Sequence, residues 1–264
     1  MFLAESDISR QFTEWRKLLP DPRAIVPIEE VRAKVESVIG PRREAWHNSP
    51  QLEKAEGPAG AILVYPYPTG IENSDGTRVR SSNPGIKGAA CHLRIGDEVF
   101  LTSEETPRKL SQKSPFLSIE PGEFAVLITD EYVYLPDDII GFISVRHTYK
   151  QKGIVSVSGF HVDPGFHGRL TFTVYNAGPN SVPIRFKDLM FIITFAEITR
   201  PTRPYEGDFS GQIGISAAIV ASLQGPSLSP RNLDERLRRL EIEVRVLLAP
   251  LAAAIIAAIL SFFK

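Results

Sequence analysis

The sequence predicts a mainly β protein with helices at both ends, on three observations. From about Ala61 to Ile198, short runs rich in Val, Ile, Phe and Tyr alternate with turn residues, at the ~8 to 12 residue spacing of an all-β sandwich or barrel. The segments ahead of that stretch space their apolar residues as helices do. Residues 231–264 join a leucine repeat to an uncharged apolar run.

Residues 1–60 read as an N-terminal helical extension, with helices over Asp7 to Leu19 and Val26 to Ile39. Glu5, Asp7, Arg10, Glu14, Arg16 and Lys17 interrupt the first twenty residues, so no apolar run suited to an export signal is present there. Residues 61–214 form the β body. Its expected strands are Ala61–Pro66, Glu123–Thr129, Ile139–Val145, Gly153–Val157, Arg169–Asn176 and Leu189–Phe195. Turns are expected at Pro121-Gly122, Pro136-Asp137-Asp138, Asp163-Pro164-Gly165 and Ala177-Gly178-Pro179-Asn180, where Pro fixes φ and Gly or Asn accepts a positive one. Thr69 to Lys87 reads as a loop. Residues 215–230, ending in Gly225–Pro230, read as a linker.

In residues 231–264, Leu233, Leu237, Leu240, Val244, Leu247 and Leu251 alternate spacings of four and three, the repeat of a coiled-coil seam or of one amphipathic helix lying on its own domain. Val246 to Phe263 carries no charge, and as a helix it would reach about 27 Å, just short of a ~30 Å hydrocarbon core. A membrane anchor is expected, with a buried core helix as the alternative. Arg231, Arg236, Arg238, Arg239 and Arg245 all precede the run, so an anchor would hold the body on the cytoplasmic face of the membrane.

Composition excludes some function classes. With 30 Lys and Arg against 31 Asp and Glu, the net charge of -1 supplies no field to gather nucleic acid. The single cysteine, Cys91, makes neither an intrachain disulfide nor a Cys-based zinc site. The chain has no GxGxxG, P-loop, GxSxG or HExxH. Its densest polar cluster spans Arg146 to Gly153 and His161 to Gly168. Arg146, Thr148, Lys150 and Lys152 beside Gly153 suit phosphate oxygens, with charged donors and room for backbone N–H groups. His161, Asp163 and His167 contain metal-ligand types, but at a spacing that fits no established site, so no metal is expected.

Five segments in order resemble the consecutive motifs of the dCTP deaminase and dUTPase superfamily. They are Gly88–Gly96 (GAACHLRIG), Phe116–Glu123 (FLSIEPGE), Leu135-Pro136 ahead of Gly141–Arg146, His161–Gly168 (HVDPGFHG), and Tyr175-Asn176. Tyr205–Gly214 (YEGDFSGQIG) resembles the family's closing segment. The resemblance implies a distorted β-barrel of the dUTPase-like type that assembles as a homotrimer with deoxynucleotide sites at subunit boundaries. Three parallel C-terminal helices could then extend the symmetry as a stalk. It also implies a nucleotide-binding role for His161, Asp163, Phe166, Tyr175 and Gln212 beside the four phosphate candidates, with no tightly bound cofactor and Mg2+ arriving with the triphosphate.

Several positions depart from the family pattern. The glutamate that shuttles protons in the deaminases, ten residues after the motif aspartate, is here Thr173, whose hydroxyl has no useful acidity. The Arg-Ser-Ser segment becomes Arg146-His147-Thr148, a following arginine becomes Gln151, and an early aspartate becomes His92. The expected function is a membrane-tethered trimeric deoxynucleotide-binding protein without ordinary dCTP deaminase activity, a sensor or scaffold. The alternative is an active nucleotide hydrolase or atypical deaminase in which Asp163 and His147 do the acid-base work.

Overall fold

The computed structural model describes residues 1–19, 26–48, 53–66, 86–224, 236–250 and 256. In chain order the elements are α1 (Glu5–Arg16), α2 (Ile28–Asn48), β1 (Leu63–Tyr65), β2 (Ile86–Lys87), β3 (Ala90–Leu101), β4 (Arg108–Lys109), β5 (Phe116–Ile119), β6 (Phe124–Tyr134), β7 (Ile139–Val145), α3 (His147–Lys150), β8 (Ile154–Ser156), β9 (His161–Val162), β10 (His167–Asn176), β11 (Val182–Arg185), β12 (Leu189–Glu197) and α4 (Ala217–Leu223). The chain is mainly β, as its alternating pattern predicts. Ten strands form one sheet in the order β8-β10-β6-β3-β12-β7-β9, with β1 beside β6, and β2 and β4 beside β3. β5 and β11 form a separate pair.

The sheet turns a corner at β3 and β6. The first half of β3 pairs with β12, and its second half pairs with β6 after a register shift between Ile95 and Val99. β6 pairs with β3 through Thr129 and then with β1 from Tyr132 onward. Between these partners the chain places Asp130 and the buried Glu131, whose carboxylate accepts the backbone N–H of Arg94 at 2.8 Å and its Nε at 2.7 Å. Buried charges persist only when paired in this way. Gly96 lies where a Cβ would collide with the Arg169 guanidinium and the Thr129 carbonyl. The two halves of the sheet face one another across an apolar core in which Phe172 of β10 stacks on Phe191 of β12, 3.9 Å between centroids.

Both N-terminal helices pack into this core. Ile8, Phe12 and Trp15 line the buried side of α1, and the Trp15 indole donates to the Ala61 carbonyl at 2.7 Å. α2 buries Val31, Val35 and Ile39 at four-residue spacing. It does not stop at Gly40-Pro41 as expected but continues to Asn48. The proline costs the helix a hydrogen bond, and tertiary contacts hold the turns beyond it: Arg42 Nε and the Trp46 indole both donate to the buried Asp137 carboxylate at 2.7 Å.

Two strands differ from the sequence expectation. β6 runs on to Tyr134, since Arg94 bonds Glu131 in place and the charges of Arg94 and Lys187 lie 3.6 Å from Asp130, and β3 forms across Arg94, Gly96, Asp97 and Glu98. Of the expected loop Thr69–Lys87, Ile86 and Lys87 belong to β2 and the rest lies outside the described residues. Within the span read as a linker, α4 seats Val220 on Phe100 and Val126, and Gly225–Pro230 lies outside the described residues. Residues 236–250 are helical with every side chain exposed. Leu233, Leu251 and most of Val246–Phe263 lie outside the described residues. Among the described residues no helix is long and apolar enough to cross a membrane, so the expected transmembrane span is unsupported.

Candidate nucleotide site

β7 and the short helix after it position the phosphate candidates. Arg146 ends the strand, caps α3 with extended backbone, and is braced from behind because its Nη1 donates to the Leu189 carbonyl at 2.8 Å. His147, Thr148, Lys150 and Lys152 are exposed. The Lys150 ammonium donates to Ser144 Oγ at 2.7 Å, and the Lys152 ammonium lies 5.2 Å from the Tyr149 ring centroid. Burial pushes the Tyr149 phenol up to about 12, so that group stays neutral. Apart from the Tyr149 hydroxyl's 3.5 Å approach to Asp188, the turn is a group of cations facing water.

His161 and Asp163 sit at the other end of β7, where β9 pairs with Gly141 and Phe142. Their side chains are half exposed and 3.3 Å apart. Phe160, just ahead of them, is exposed and packs its ring against His161. From Gly141 to Arg146 an extended strand covers about 17 Å. One protomer therefore does not gather Arg146, Lys150 and Lys152 into one cluster with His161 and Asp163, and no hydrogen bond or ion pair joins His147 to Asp163.

The turn after Asp163 is tightly built. Gly165 has φ +78°, and a Cβ there would lie 2.5 Å from Pro204, so the closing segment presses directly on it. Phe166 is buried against Tyr205, 5.8 Å between centroids, and faces the interior. Gln212 forms a parallel bridge with Gly168 and donates its Nε2 to the Arg169 carbonyl, leaving its Oε1 buried with no partner. Tyr175 is half buried on β10 beside Phe124, at 4.7 Å.

Thr173 is half buried on the same strand. Directly across the ladder it faces Val126 of β6, and its carbonyl accepts the N–H groups of Val157 and Ser158 on the other side. Thr171 faces Ile128, and Tyr175 faces Phe124 and Val155. None of these ladder neighbours has a carboxyl group.

Sequence reasoning singled out His167 but missed the polar groups around it beneath this turn, Tyr132, Ser210 and Arg43. His167 is buried, with Nδ1 2.6 Å from the Tyr132 hydroxyl and Nε2 3.1 Å from Ser210 Oγ. Burial first, and the Arg43 charge second, hold its pKa down at about 4, so the imidazole is neutral near pH 7. Arg43 reaches the same place from α2. The signal was present: Val31, Val35 and Ile39 mark a buried stripe whose next four-residue step is Arg43. Among the described residues no group of three or more His, Cys, Asp or Glu could hold a metal ion.

A sequence model described as dCTP deaminase-like matches residues 86–198. The dCTP deaminase of Pyrococcus abyssi is 31% identical over 131 residues, covering 49% of this chain and 82% of that protein. A probable deoxyuridine 5′-triphosphate nucleotidohydrolase of Sulfolobus islandicus rod-shaped virus 1 is 29% identical over 140 residues, covering 52% of this chain and 84% of that protein. Among solved structures, the dCTP deaminase of Agrobacterium tumefaciens overlaps 44% of this chain and 42% of its own at 15% identity, with a TM-score of 0.37.

Proposed function

The chain belongs to the dCTP deaminase and dUTPase superfamily, and from that premise we propose that it binds deoxynucleoside triphosphates without performing ordinary dCTP deamination. The observation that carries this reading is Thr173. A deaminase of this family needs a carboxyl group there to accept and return a proton as water attacks the cytosine ring. Threonine cannot do so, and its ladder neighbours Val126, Val157 and Ser158 offer no replacement. What remains suits binding: exposed cations on α3 for phosphate oxygens, and the half-exposed Asp163 on a rigid turn for the sugar end.

The same reading includes a homotrimer. The separation of α3 from the His161–Asp163 turn along β7 favours a site completed by a neighbouring subunit. The exposed helix 236–250 supports a parallel stalk, because Leu237, Leu240, Val244 and Leu247 form an unpartnered apolar seam. Arg236 and Glu241 stand on the two sides of that seam, five residues apart, as the facing charges of parallel neighbours do. Val246–Phe263 would continue the stalk into a membrane, with the body on its cytoplasmic face. Mg2+ would be carried by the triphosphate oxygens, as the described residues provide no cluster of their own.

One observation favours hydrolysis as a second reading. The Asp163 carboxylate is open to solvent and touches an imidazole, His161, with which it could orient water. His147, the other acid-base candidate, would have to come from a neighbouring subunit. Incubating the full chain with each deoxynucleoside triphosphate and magnesium, and measuring thermal shift and products in the same sample, tests the proposal. The expected result is stabilisation with the nucleotide intact. Release of deoxyuridine nucleotide from dCTP at enzymatic rates overturns it, and pyrophosphate release lost in Asp163→Asn and His147→Ala establishes the hydrolase.

A further inference from the structure

Beside the candidate site, Arg43 makes a polar convergence of its own. Its Nη2 donates to three acceptors on two separate segments: the Tyr205 carbonyl at 3.0 Å, Ser210 Oγ at 3.1 Å and the Gly165 carbonyl at 3.3 Å. The first two belong to the closing segment that carries Gln212, and the third belongs to the turn that carries Asp163. All three acceptors are neutral, so the guanidinium acts as a charged donor to backbone and hydroxyl oxygens and not as half of an ion pair.

The segment is fastened on every side around this point. Tyr205 N–H donates to the Pro164 carbonyl at 2.8 Å, and Gly211 N–H donates to the His167 carbonyl at 2.7 Å. Ser210 Oγ also meets the neutral His167 ring, and Glu206 pairs with His47 of α2 at 3.1 Å and with Arg203 at 3.0 Å. The end of α2 is itself held to the body through Arg42, Trp46 and Asp137. The cation is therefore presented by a fixed helix, and the two segments it joins have no choice of distance.

We propose that Arg43 is a positioning residue that holds residues 205–212 against the Asp163–Gly165 turn before any nucleotide arrives, making the closing segment a standing wall of the site. This rests on the reading of that turn and of Gln212 as parts of a nucleotide site. A segment ordered in advance spares the ligand the cost of ordering it, so affinity falls by the fraction of time the segment spends detached.

Amide hydrogen exchange on the full chain tests this, comparing the natural protein with Arg43→Gln, Arg43→Lys and Ser210→Ala, each with and without dCTP or dUTP plus magnesium. In the natural protein without nucleotide, the bonded amides of Tyr205, Ser210, Gly211 and Gln212 should exchange as slowly as the start of β10, and nucleotide should change this little. In Arg43→Gln their exchange should rise roughly tenfold or more while β7 and β12 stay protected. Arg43→Lys should restore part of the protection, and nucleotide should restore it in Arg43→Gln with an apparent Kd raised in proportion. Ser210→Ala, which removes an acceptor from the other side and leaves α2 untouched, should loosen the same residues, and it carries the test should Arg43→Gln fail to fold. Fast exchange at Tyr205, Ser210, Gly211 and Gln212 in the natural protein, no difference among variants, or a uniform rise over the whole chain overturns the proposal. The exchange without nucleotide is read independently of binding, so a protein that binds neither nucleotide yet shows the local effect refutes the nucleotide reading and leaves Arg43 as the fastener.

Discussion

The two ends of β7 are finished in opposite ways. Where the strand begins, Asp137, the Asp163–Gly165 turn, α2 and the closing segment converge, with Asp137 Oδ2 accepting from Arg42 and Trp46, and Arg43 Nη2 reaching Gly165, Tyr205 and Ser210, although Arg43 Nε and Asp137 Oδ1 are buried without a partner. Where it ends, α3 and the turn after it project Lys150 and Lys152 into water with one light contact apiece. A buried polar group must be satisfied by the protein itself, whereas an exposed cation is satisfied by water and stays available for exchange with an anion. The contrast separates support from recognition: substitutions of the buried groups at the first end should act on the fold and on how the Asp163 turn is held, and substitutions at the second on the ligand directly.

The largest effect should come from Asp137. Removing its carboxylate in Asp137→Ala leaves the Arg42 charge and the Trp46 N–H facing a protein interior, at a cost of about 3–5 kcal/mol. Urea unfolding should show the midpoint falling with the slope unchanged, and Asp137→Asn, which keeps an acceptor, should lose much less. Equal losses would mean that shape rather than charge holds α2 in place.

His167 gives the next effect and a pH signature. The unfolded chain takes up a proton near 6.5, while the folded one refuses it until about 4. Between these values the unfolded state binds more protons. Stability therefore rises with pH across the interval and is lost as the pH falls through it, by about 3 kcal/mol in all. Chemical denaturation at intervals from pH 7 to 4 should trace this slope, and His167→Gln should flatten it. A slope that survives the substitution assigns the acid sensitivity elsewhere.

The smallest structural effect belongs to the other end. Lys150→Glu with Lys152→Glu should change stability by less than about 0.5 kcal/mol, while triphosphate affinity falls roughly tenfold or more, with a weaker dependence on salt. Unchanged affinity would remove α3 from the phosphate site.

The uneven legibility of the sequence follows the same division. β7 was plain because Ile139–Val145 is apolar but for Ser144, and the superfamily motifs announced the Asp163 turn. β3 was hidden because Arg94, Gly96, Asp97 and Glu98 resemble a loop until Glu131 and Arg169 are placed against them. Arg43 was hidden because a charge on a buried stripe reads as the end of the stripe. Its partners lie far along the chain, at Gly165, Tyr205 and Ser210, and no local pattern contains them. Phe166, to which the resemblance gives a nucleotide-binding role, is buried beside Tyr205, directly after the positive-φ Gly165.

The proline inside α2 has a consequence for synthesis. The turns after Pro41 lack the strength to persist alone and keep their shape only through what they grip, yet their anchors emerge from the ribosome much later than they do. The second half of that helix can gain those contacts only once Asp137, Gly165, Tyr205 and Ser210 have been made, so some of the earliest residues translated depend on much later ones for their packing.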